Sequence, residues 1–370
     1  MTGSRTRRIL LGAAAPAGAL IFSLLVISIL LLLTGHSPFE AFSAMGSAFQ
    51  RVRVVLGAIN QAAVYYLAAV AVAIGFKMNL FNIGVDGQYR LAAMLSAAVA
   101  GATFMDSLPS FLRIAITLIV AMAVGAAWAG IAALLKVTRG VSEVISTIML
   151  NAIATFLIAY LLTPEMLAVL SGNNISTPKI TDGGQLPVIN FAGSTTPLYS
   201  LVFLAVVVGV VYALVLSRTV FGFSIRATGL SETAAIASGI SVKKMIVLAM
   251  LLSGAVAGLV GMPELLNGSA ASYSLNFPTG IGFTGIAVAL LGRNHPIGMV
   301  FSALLWAALD SSANALQGVG VARELVTIMQ GVIVLAVVVA YEFVRRYRLV
   351  LEARDVARAL AVPAGAGAMA

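Results

Sequence analysis

Residues 54–76 read VVLGAINQAAVYYLAAVAVAIGF and contain no charged side chain. A helix of about 20 apolar residues crosses the hydrocarbon core of a bilayer, and this run is long enough to do so. It is typical of the chain, because 61% of the 370 residues are hydrophobic and only 9% are charged. Soluble domains have about 45–50% apolar and about 25% charged residues. We therefore predict an all-α polytopic membrane protein, which excludes a cytosolic enzyme, a secreted domain and a disordered chain.

Apolar runs of this kind recur along the sequence and predict about ten transmembrane helices. Their expected bounds are 9–33, 54–76, 88–105, 111–135, 143–162, 198–217, 245–263, 281–292, 297–317 and 323–344. The first run follows three arginines, as a signal peptide would, but its apolar part is longer than the usual 7–15 or so residues, which favours an uncleaved span. The eighth is short, so it is interpreted as tilted, broken or re-entrant.

The distribution of positive charge predicts the orientation. With a cytoplasmic N-terminus and ten crossings, 17 of the 22 Lys and Arg residues lie on the cytoplasmic side and five lie outside. Cytoplasmic loops carry such an excess, so we expect an even number of crossings. Residues 1–8 and 345–370 are then cytoplasmic tails, and 9–344 form the transmembrane domain. The net charge of +9 is explained by these positively charged loops beside the membrane. We therefore expect the lipid bilayer, and no nucleic acid, as a partner.

Two loops between the predicted spans are long. The extracytoplasmic loop 163–197 contains four prolines and either docks a soluble partner or simply links two spans. The cytoplasmic segment 218–244 contains the pattern of a short helix from Glu232 to Ser238, with Ser231 as N-cap and Gly239 at the C-terminal end. The exposed side of this helix, with Ala234, Ala235 and Ala237, is expected to be small and apolar. It lies on the lipid headgroups or fits a pocket in another protein.

Polar side chains inside spans are costly in lipid, so each is a candidate site residue. The candidates for a substrate pathway are Asn60, Gln61, Asn82, Asp86, Gln88, Asn151, Asn267, Asp310 and Asn314. Asn79, Asn82, Asp86 and Arg90 would form one polar stripe if they share a helix; the alternative is an interfacial segment with mutually neutralised charges. By contrast, Ser142 and Glu143 are interpreted as an ordinary helix start.

Several kinds of chemistry have no residues to support them in this sequence. There are no cysteines and only two histidines, far apart, so we predict no metal site. The sequence has no phosphate-binding P-loop and no nucleophile elbow. We therefore predict no catalytic residues and no cofactor. A polytopic chain with sparse polar groups is most simply a conduit whose energy source is a separate protein.

Four segments in the same order resemble a known family. They are LFNIGVDGQ at 80–88, EVISTIMLN at 143–151, RATGLSETAAIASGI at 226–240 and LLGRNHPIG at 290–298. They resemble the permease subunits of ABC importers for nucleosides and simple sugars, within the larger branched-chain amino acid/ribose permease group. The resemblance runs from about residue 56 to 345. Ser231 departs from it, because the family usually has asparagine there.

The resemblance implies a type II importer permease fold with two inverted repeats. It further implies a cytoplasmic ABC ATPase, a second and shorter paralogous permease subunit, and an extracytoplasmic substrate-binding lipoprotein. Segment 218–244 becomes a coupling loop that binds the ATPase. The residues that match the loop motif are Arg226, Gly229, Glu232, Ala235, Gly239 and Ile240. The location becomes the plasma (inner) membrane.

The sequence leaves other functions open. Within the family, simple sugars and branched-chain amino acids are alternatives to nucleosides. Outside it, an ion-coupled secondary transporter built from inverted repeats would need no ATPase. A non-transporting membrane partner or a lipid enzyme is a third alternative, although the sequence shows no catalytic set.

Overall fold

Apolar runs fold as helices in a bilayer because every backbone amide and carbonyl then has a partner within its own segment. The computed structural model describes residue 18 and residues 21–171, 174–268 and 271–361. Its helices are α1 (Ile21–Leu33), α2 (Pro38–Ala48), α3 (Val52–Phe76), α4 (Val85–Ala100), α5 (Ser110–Arg139), α6 (Glu143–Leu161), α7 (Leu201–Arg218), α8 (Val220–Leu230), α9 (Glu232–Ala237), α10 (Val242–Gly258), α11 (Met262–Asn267), α12 (Ile281–Leu291), α13 (Pro296–Gln317) and α14 (Arg323–Ala361). The predicted all-α class is confirmed.

The little sheet in the described residues lies in the long loop between α6 and α7. Strands β1 (Val169–Ser171) and β2 (Asn174–Ser176) pair antiparallel, as do β3 (Val188–Ile189) and β4 (Leu198–Tyr199). A single 3-10 turn, Asp182–Gly184, separates the two pairs. The predicted loop 163–197 is therefore a connection ordered by two short hairpins.

Seven helices of the described residues are long and apolar enough to cross a membrane. They are α3, α5, α6, α7, the continuous stretch from α10 through α11, α13 and the first part of α14. An eighth crossing results if α1 and α2 form one broken span; the chain bends by 115° between these two helices. The polytopic architecture is thus confirmed, whereas the predicted count of about ten is not.

The differences from the predicted spans have local causes. Helix α4 has only 16 residues: it begins at Val85, before the predicted bound at 88, and ends at Ala100, before the predicted bound at 105, with Gly101 as its C-cap. Helix α12 is short, with 11 residues, as expected for the eighth run. Helix α2 was not predicted. Of the first predicted span, residues 9–17, 19 and 20 lie outside the described part, and α14 continues to Ala361, well past the predicted bound at 344.

The chain divides into two compact units, residues 47–311 and residues 1–46 with 312–370. In the first unit, α10 packs along α5 at close range, since a Cβ atom on Gly254 would overlap the Gly125 carbonyl oxygen. A Cβ atom on Gly258 would likewise overlap the carbonyl oxygen of Ala121. The small residues of α10 thus allow close backbone contact, which gives helix packing in lipid much of its stability.

The unit of residues 1–46 and 312–370 has its own internal tie. His36, in the turn after α1, places Nε2 2.9 Å from the carbonyl oxygen of Gly320. Gly320 has a φ of +85°, so the loop between α13 and α14 turns through a conformation that favours glycine. The hydrogen bond fixes the chain after α1 against that loop.

Candidate functional site: the polar segment and the coupling loop

The polar segment at residues 77–84 links α3 to α4. Helix α3 ends in a Schellman motif, in which Leu80 N–H donates to Gly75 O at 3.0 Å and Asn79 N–H donates to Phe76 O at 3.1 Å. Asn79 occupies the left-handed position with a φ of 55°, which asparagine tolerates better than most residues. Asn79 and Asn82 therefore precede α4, and the predicted single-helix stripe with Asp86 and Arg90 is wrong.

Asn82 and Gln88 form a buried pair of amides. Asn82 Nδ2 donates to Gln88 Oε1 at 3.0 Å, and Gln88 Nε2 donates back to Asn82 Oδ1 at 2.9 Å. Asn82 also donates to Ser253 Oγ of α10 at 2.9 Å. The side chains of Asn82 and Gln88 are 1% and 0% exposed. Since a buried amide needs such partners, this pair fixes the segment against α10.

Asn151 of α6 holds the first turn of α4. Its Oδ1 accepts from Gly87 N–H at 2.8 Å, and its Nδ2 donates to Ile83 O at 2.9 Å. The first backbone N–H groups of a helix lack partners within the helix, and Gly84 at the N-cap has no side chain to supply one. Asn151 takes over this capping role from a neighbouring helix.

Asp86 and Arg90 lie one turn apart on α4 and approach each other as predicted. Asp86 Oδ2 is 3.9 Å from Arg90 Nη1, and Asp86 Oδ1 accepts from Gly282 N–H of α12 at 3.3 Å. Arg90 Nη1 also donates to Thr155 Oγ1 at 3.1 Å. Arg90 Nε is buried and has no hydrogen-bond partner among the described residues. Helix α4 thus contributes one carboxylate and one guanidinium group, both mostly buried, to the 47–311 unit.

Two further candidate amides hold the long loop. Asn60 of α3 donates to Pro197 O at 2.8 Å and accepts from Tyr199 N–H at 2.9 Å. Asn267 accepts from Leu201 N–H at 3.3 Å and donates to Leu186 O at 3.2 Å. Both side chains are mostly buried. Both amides thus provide hydrogen-bond partners for backbone groups at the end of the loop between α6 and α7.

The remaining pathway candidates lie on α3 and α13. Tyr65 donates its hydroxyl hydrogen to Asp310, which links these two helices. Gln61 is half-buried, one turn before Tyr65, and Asn314 is exposed, one turn after Asp310. Within the 47–311 unit, Asn82, Gln88 and Asn151 thus lie together at the start of α4, whereas Asn60 and Asn267 hold the long loop.

Sequence reasoning missed the role of Glu143. Its Oε1 accepts from Phe81 N–H at 3.3 Å, and its Oε2 lies 2.5 Å from Lys136 Nζ of α5. Helix α6 begins at this point as interpreted, with Ser142 before it and Glu143 in its first turn, but the Ser142 side chain forms no cap hydrogen bond. Glu143 also joins α5, α6 and the polar segment.

The predicted coupling loop folds as two helices, of which α9 was expected and α8 was not. Ser231 Oγ caps α9 by accepting from Ala234 N–H at 3.3 Å. Gly239 ends α9 with a φ of +80°, and Ile240 N–H donates to Ala235 O at 3.0 Å. These features confirm the predicted caps. Ala235 is buried, however, so its expected place on the exposed side of the helix is wrong.

Large apolar side chains stand on the surface of α8 and α9. Leu230 is 88% exposed and Ile236 is 61% exposed. Glu232 is also exposed, while Arg226 and Gly229 are half-buried. Burial and, to a smaller extent, the charge of Arg226 lower the pKa of the Lys77 amino group. An exposed apolar surface beside charged residues is typical of a protein contact.

An apolar cavity of about 320 Å³ lies between α3, α7 and α13 in the 47–311 unit. Tyr66, Val206, Gly209 and Ile297 are among its lining residues. The Tyr66 ring rests on Gly209, where a Cβ atom would overlap the hydroxyl oxygen. Such a lining offers few hydrogen-bond partners, so a polar solute finds little to bind here. In the described residues, no cluster of His, Asp and Glu side chains suitable for a metal ion is found.

Together these features define a class: a multi-pass helical membrane protein with a short capped helix that carries exposed apolar side chains. Residues 54–338 match the family described as branched-chain amino acid transport system / permease component. The chain belongs to this family of ABC transporter permeases, which is the family that its four motifs predicted.

Individual relatives are similar over nearly their whole length. The chain is 33% identical to the nucleoside ABC transporter permease protein NupB of Lactococcus lactis, covering 91% of this chain and 93% of that protein. It is 35% identical to the guanosine ABC transporter permease protein NupP of Bacillus subtilis, covering 88% and 93%. It is 30% identical to the glucose ABC transporter permease protein TsgB13 of Haloferax volcanii, covering 92% and 90%. No solved structure matches the chain.

Proposed function

We propose that the chain is the permease subunit of an ATP-driven importer of nucleosides. The observation that carries this proposal is the similarity at 33–35% identity, over about nine-tenths of each chain, to permeases named for nucleosides and guanosine. The capped helix α9 supports the same function, because a permease without its own ATP site needs a surface for an ATPase.

The proposed partners occupy different parts of the chain. An ABC ATPase binds the exposed side of α8 and α9, where Leu230 and Ile236 are presented. A second, paralogous permease subunit completes the pathway. A substrate-binding lipoprotein docks on the extracytoplasmic side, where the loop 163–197 is held by Asn60 and Asn267. The complex lies in the plasma (inner) membrane with both termini of this chain in the cytoplasm, in keeping with the positive charge of the predicted cytoplasmic segments.

Within the proposed pathway, the polar residues divide into two roles. Asn60, Asn82, Gln88, Asn151 and Asn267 shape the walls, because their hydrogen bonds go to backbone groups, to one another or to serine hydroxyls. Gln61, Asp86 and Asp310 contact the nucleoside in passing, since a carboxylate accepts more than one hydrogen bond and an amide both donates and accepts. Weak contacts suffice, as a transported solute must also be released.

The transport cycle follows from this arrangement. ATP binding closes the two ATPase subunits and draws their coupling helices together. The spans then move as rigid bodies, and the pathway opens alternately to the two sides of the membrane. This chain contributes no bond-making step; it converts a displacement of α8 and α9 into a change of access.

Reconstitution tests this function directly. The chain is inserted into vesicles with its ATPase, the second permease and the binding lipoprotein, and uptake of radiolabelled guanosine is measured. We expect uptake only with ATP and all four proteins, and no effect of ionophores. Accumulation by the chain alone on a proton or sodium gradient would instead establish a secondary transporter.

Simple sugars are the second candidate substrates, because the Haloferax volcanii relative is named for glucose. Competition separates the two. Excess unlabelled adenosine should lower guanosine uptake, whereas excess glucose should leave it unchanged. Loss of guanosine uptake in the presence of glucose alone would favour the sugar importer.

A further inference from the structure

The end of α8 touches the end of α3 through two independent contacts. Asn79 Nδ2 donates to the carbonyl oxygen of Gly229 at 2.7 Å. Gly229 itself presses on the polar segment so closely that a Cβ atom there would overlap the Lys77 carbonyl oxygen. Only glycine permits such an approach of two backbones. The charges of Lys77 and Arg226 repel each other nearby, so the hydrogen bond and the close packing must hold the two segments together.

The conformation of Asn79 aims its side chain at α8. The residue sits in the left-handed position of the Schellman motif, with a φ of 55°. Its backbone N–H is already used within α3, as a donor to Phe76 O. The side-chain amide is therefore available for a contact outside its own helix, and its donor reaches the last turn of α8.

Beyond Asn79, three consecutive residues of the polar segment form hydrogen bonds to other helices of the 47–311 unit. Phe81 N–H donates to Glu143, Asn82 donates to Ser253, and Ile83 O accepts from Asn151. The segment then enters α4, whose second residue is Asp86. A chain of packed side chains and hydrogen bonds of this kind moves as one body more readily than it bends.

From these contacts we infer that Asn79 is a positioning residue that couples the α8–α9 helices to the polar segment and, through it, to Asp86 on α4. The inference rests on the proposed function, in which an ATPase displaces α8 and α9. Asn79 touches neither ATP nor nucleoside in this role. It determines what fraction of the ATPase movement reaches the pathway, because the Gly229 carbonyl is its partner on the moving side.

The test uses a variant that removes the amide without straining the backbone. Asn79→Gly keeps the left-handed conformation but has no donor. Asn294→Gly is a matched control, since Asn294 also has a positive φ, of 52°, and its side-chain oxygen is buried without a hydrogen-bond partner among the described residues. Both are reconstituted as complete four-protein complexes, and guanosine uptake, ATP hydrolysis and the half-saturating guanosine concentration are measured.

We expect Asn79→Gly to lower the nucleosides imported per ATP hydrolysed by on the order of tenfold, which corresponds to about 1.4 kcal/mol of lost coupling. The half-saturating guanosine concentration should stay unchanged, because the substrate contacts are intact. A purely structural role would lower the yield of assembled complex, and with it ATP hydrolysis and uptake by the same factor. The number of nucleosides imported per ATP hydrolysed would then stay unchanged. Asn294→Gly should match the unaltered protein.

A second variant approaches the same contact from the other side. Gly229→Ala should push the segments apart and raise the ATP used per nucleoside, as Asn79→Gly does. Native stoichiometry in both variants, with ATP-driven uptake intact, would overturn the inference alone. If the unaltered complex shows no ATP-dependent uptake, the proposed function fails, and the inference fails with it.

Discussion

Buried amide side chains in this protein mostly serve the backbone. Asn151 bridges two backbone groups at the start of α4, and Asn60 and Asn267 do the same for the loop between α6 and α7. In lipid, turns and helix ends leave polar groups that water cannot reach. An amide is well suited to such places because it both donates and accepts. A polar residue at membrane depth is thus not by itself evidence of a contact with the solute.

At the same scale, the Lys136–Glu143 pair gives an asymmetric prediction. Glu143 is the more buried partner, with 8% of its side chain exposed against 26% for Lys136. Lys136→Met should therefore destabilise the protein by about 1–3 kcal/mol, because it leaves a buried carboxylate without its cation. Glu143→Gln should cost less, since Gln keeps an acceptor for Phe81 and Lys136 can turn to water. Melting temperatures of the purified variants in detergent measure the difference.

The double variant serves as the control for this pair. Lys136→Met with Glu143→Gln should be more stable than Lys136→Met alone, because no unpaired charge remains. Equal melting temperatures for Lys136→Met and the unaltered protein would show that the pair contributes nothing to stability.

A second residue-scale prediction concerns the contact between α5 and α10. Gly258→Ala places a methyl group against the carbonyl oxygen of Ala121, and overpacking of this kind costs about 1–3 kcal/mol. Gly57→Ala is the matched change, because a Cβ atom there meets nothing within 4 Å. The first variant should lower the melting temperature and the second should leave it unchanged or raise it slightly. An unaltered melting temperature for Gly258→Ala would mean that the helices separate without cost.

Among the elements, the long apolar helices and α9 were predictable, each for a local reason. Hydropathy marks α3, α5, α6, α7 and α13, and cap residues mark α9 at Ser231 and Gly239. The bounds of α4 were predicted a few residues late, and the polar stripe failed because the spacing of Asn79 and Asn82 does not show that they adopt turns. The link from Glu143 to Phe81 spans 62 residues, and such contacts depend on tertiary packing that no local pattern encodes.

The exposed surface of α9 carries the element-scale prediction. Ile236→Glu should weaken binding of the ATPase by on the order of tenfold or more, because it places a charge where an apolar side chain enters the interface. The fold should be unaffected, as Ile236 is 61% exposed. Co-purification of the ATPase from detergent measures the effect. Ile189→Glu in the long loop, at a residue 41% exposed, is the control and should retain the ATPase; equal retention by both variants would place the interface elsewhere.

For the molecule as a whole, orientation is open to direct measurement, because the chain contains no cysteine. A cysteine introduced by Ser238→Cys, just after α9, should react with a membrane-impermeant maleimide only after cells are permeabilised. One introduced by Asn190→Cys, in the exposed loop before α7, should react in intact cells. Both positions are exposed, so access depends on the side of the membrane. The reverse labelling pattern would invert the proposed topology.

The buried side chain of Asn267 has a consequence for chemical ageing. Asparagine followed by glycine is the pair most prone to deamidation, because the glycine nitrogen can attack the side-chain amide. Here the Gly268 nitrogen donates to Glu264 O at 3.0 Å, and the Asn267 amide is tied to Leu201 and Leu186. The reaction is blocked while this region stays folded and proceeds only when it opens. The amount of isoaspartate at position 267 in stored or heated protein would therefore measure how long the region around Asn267 had been open.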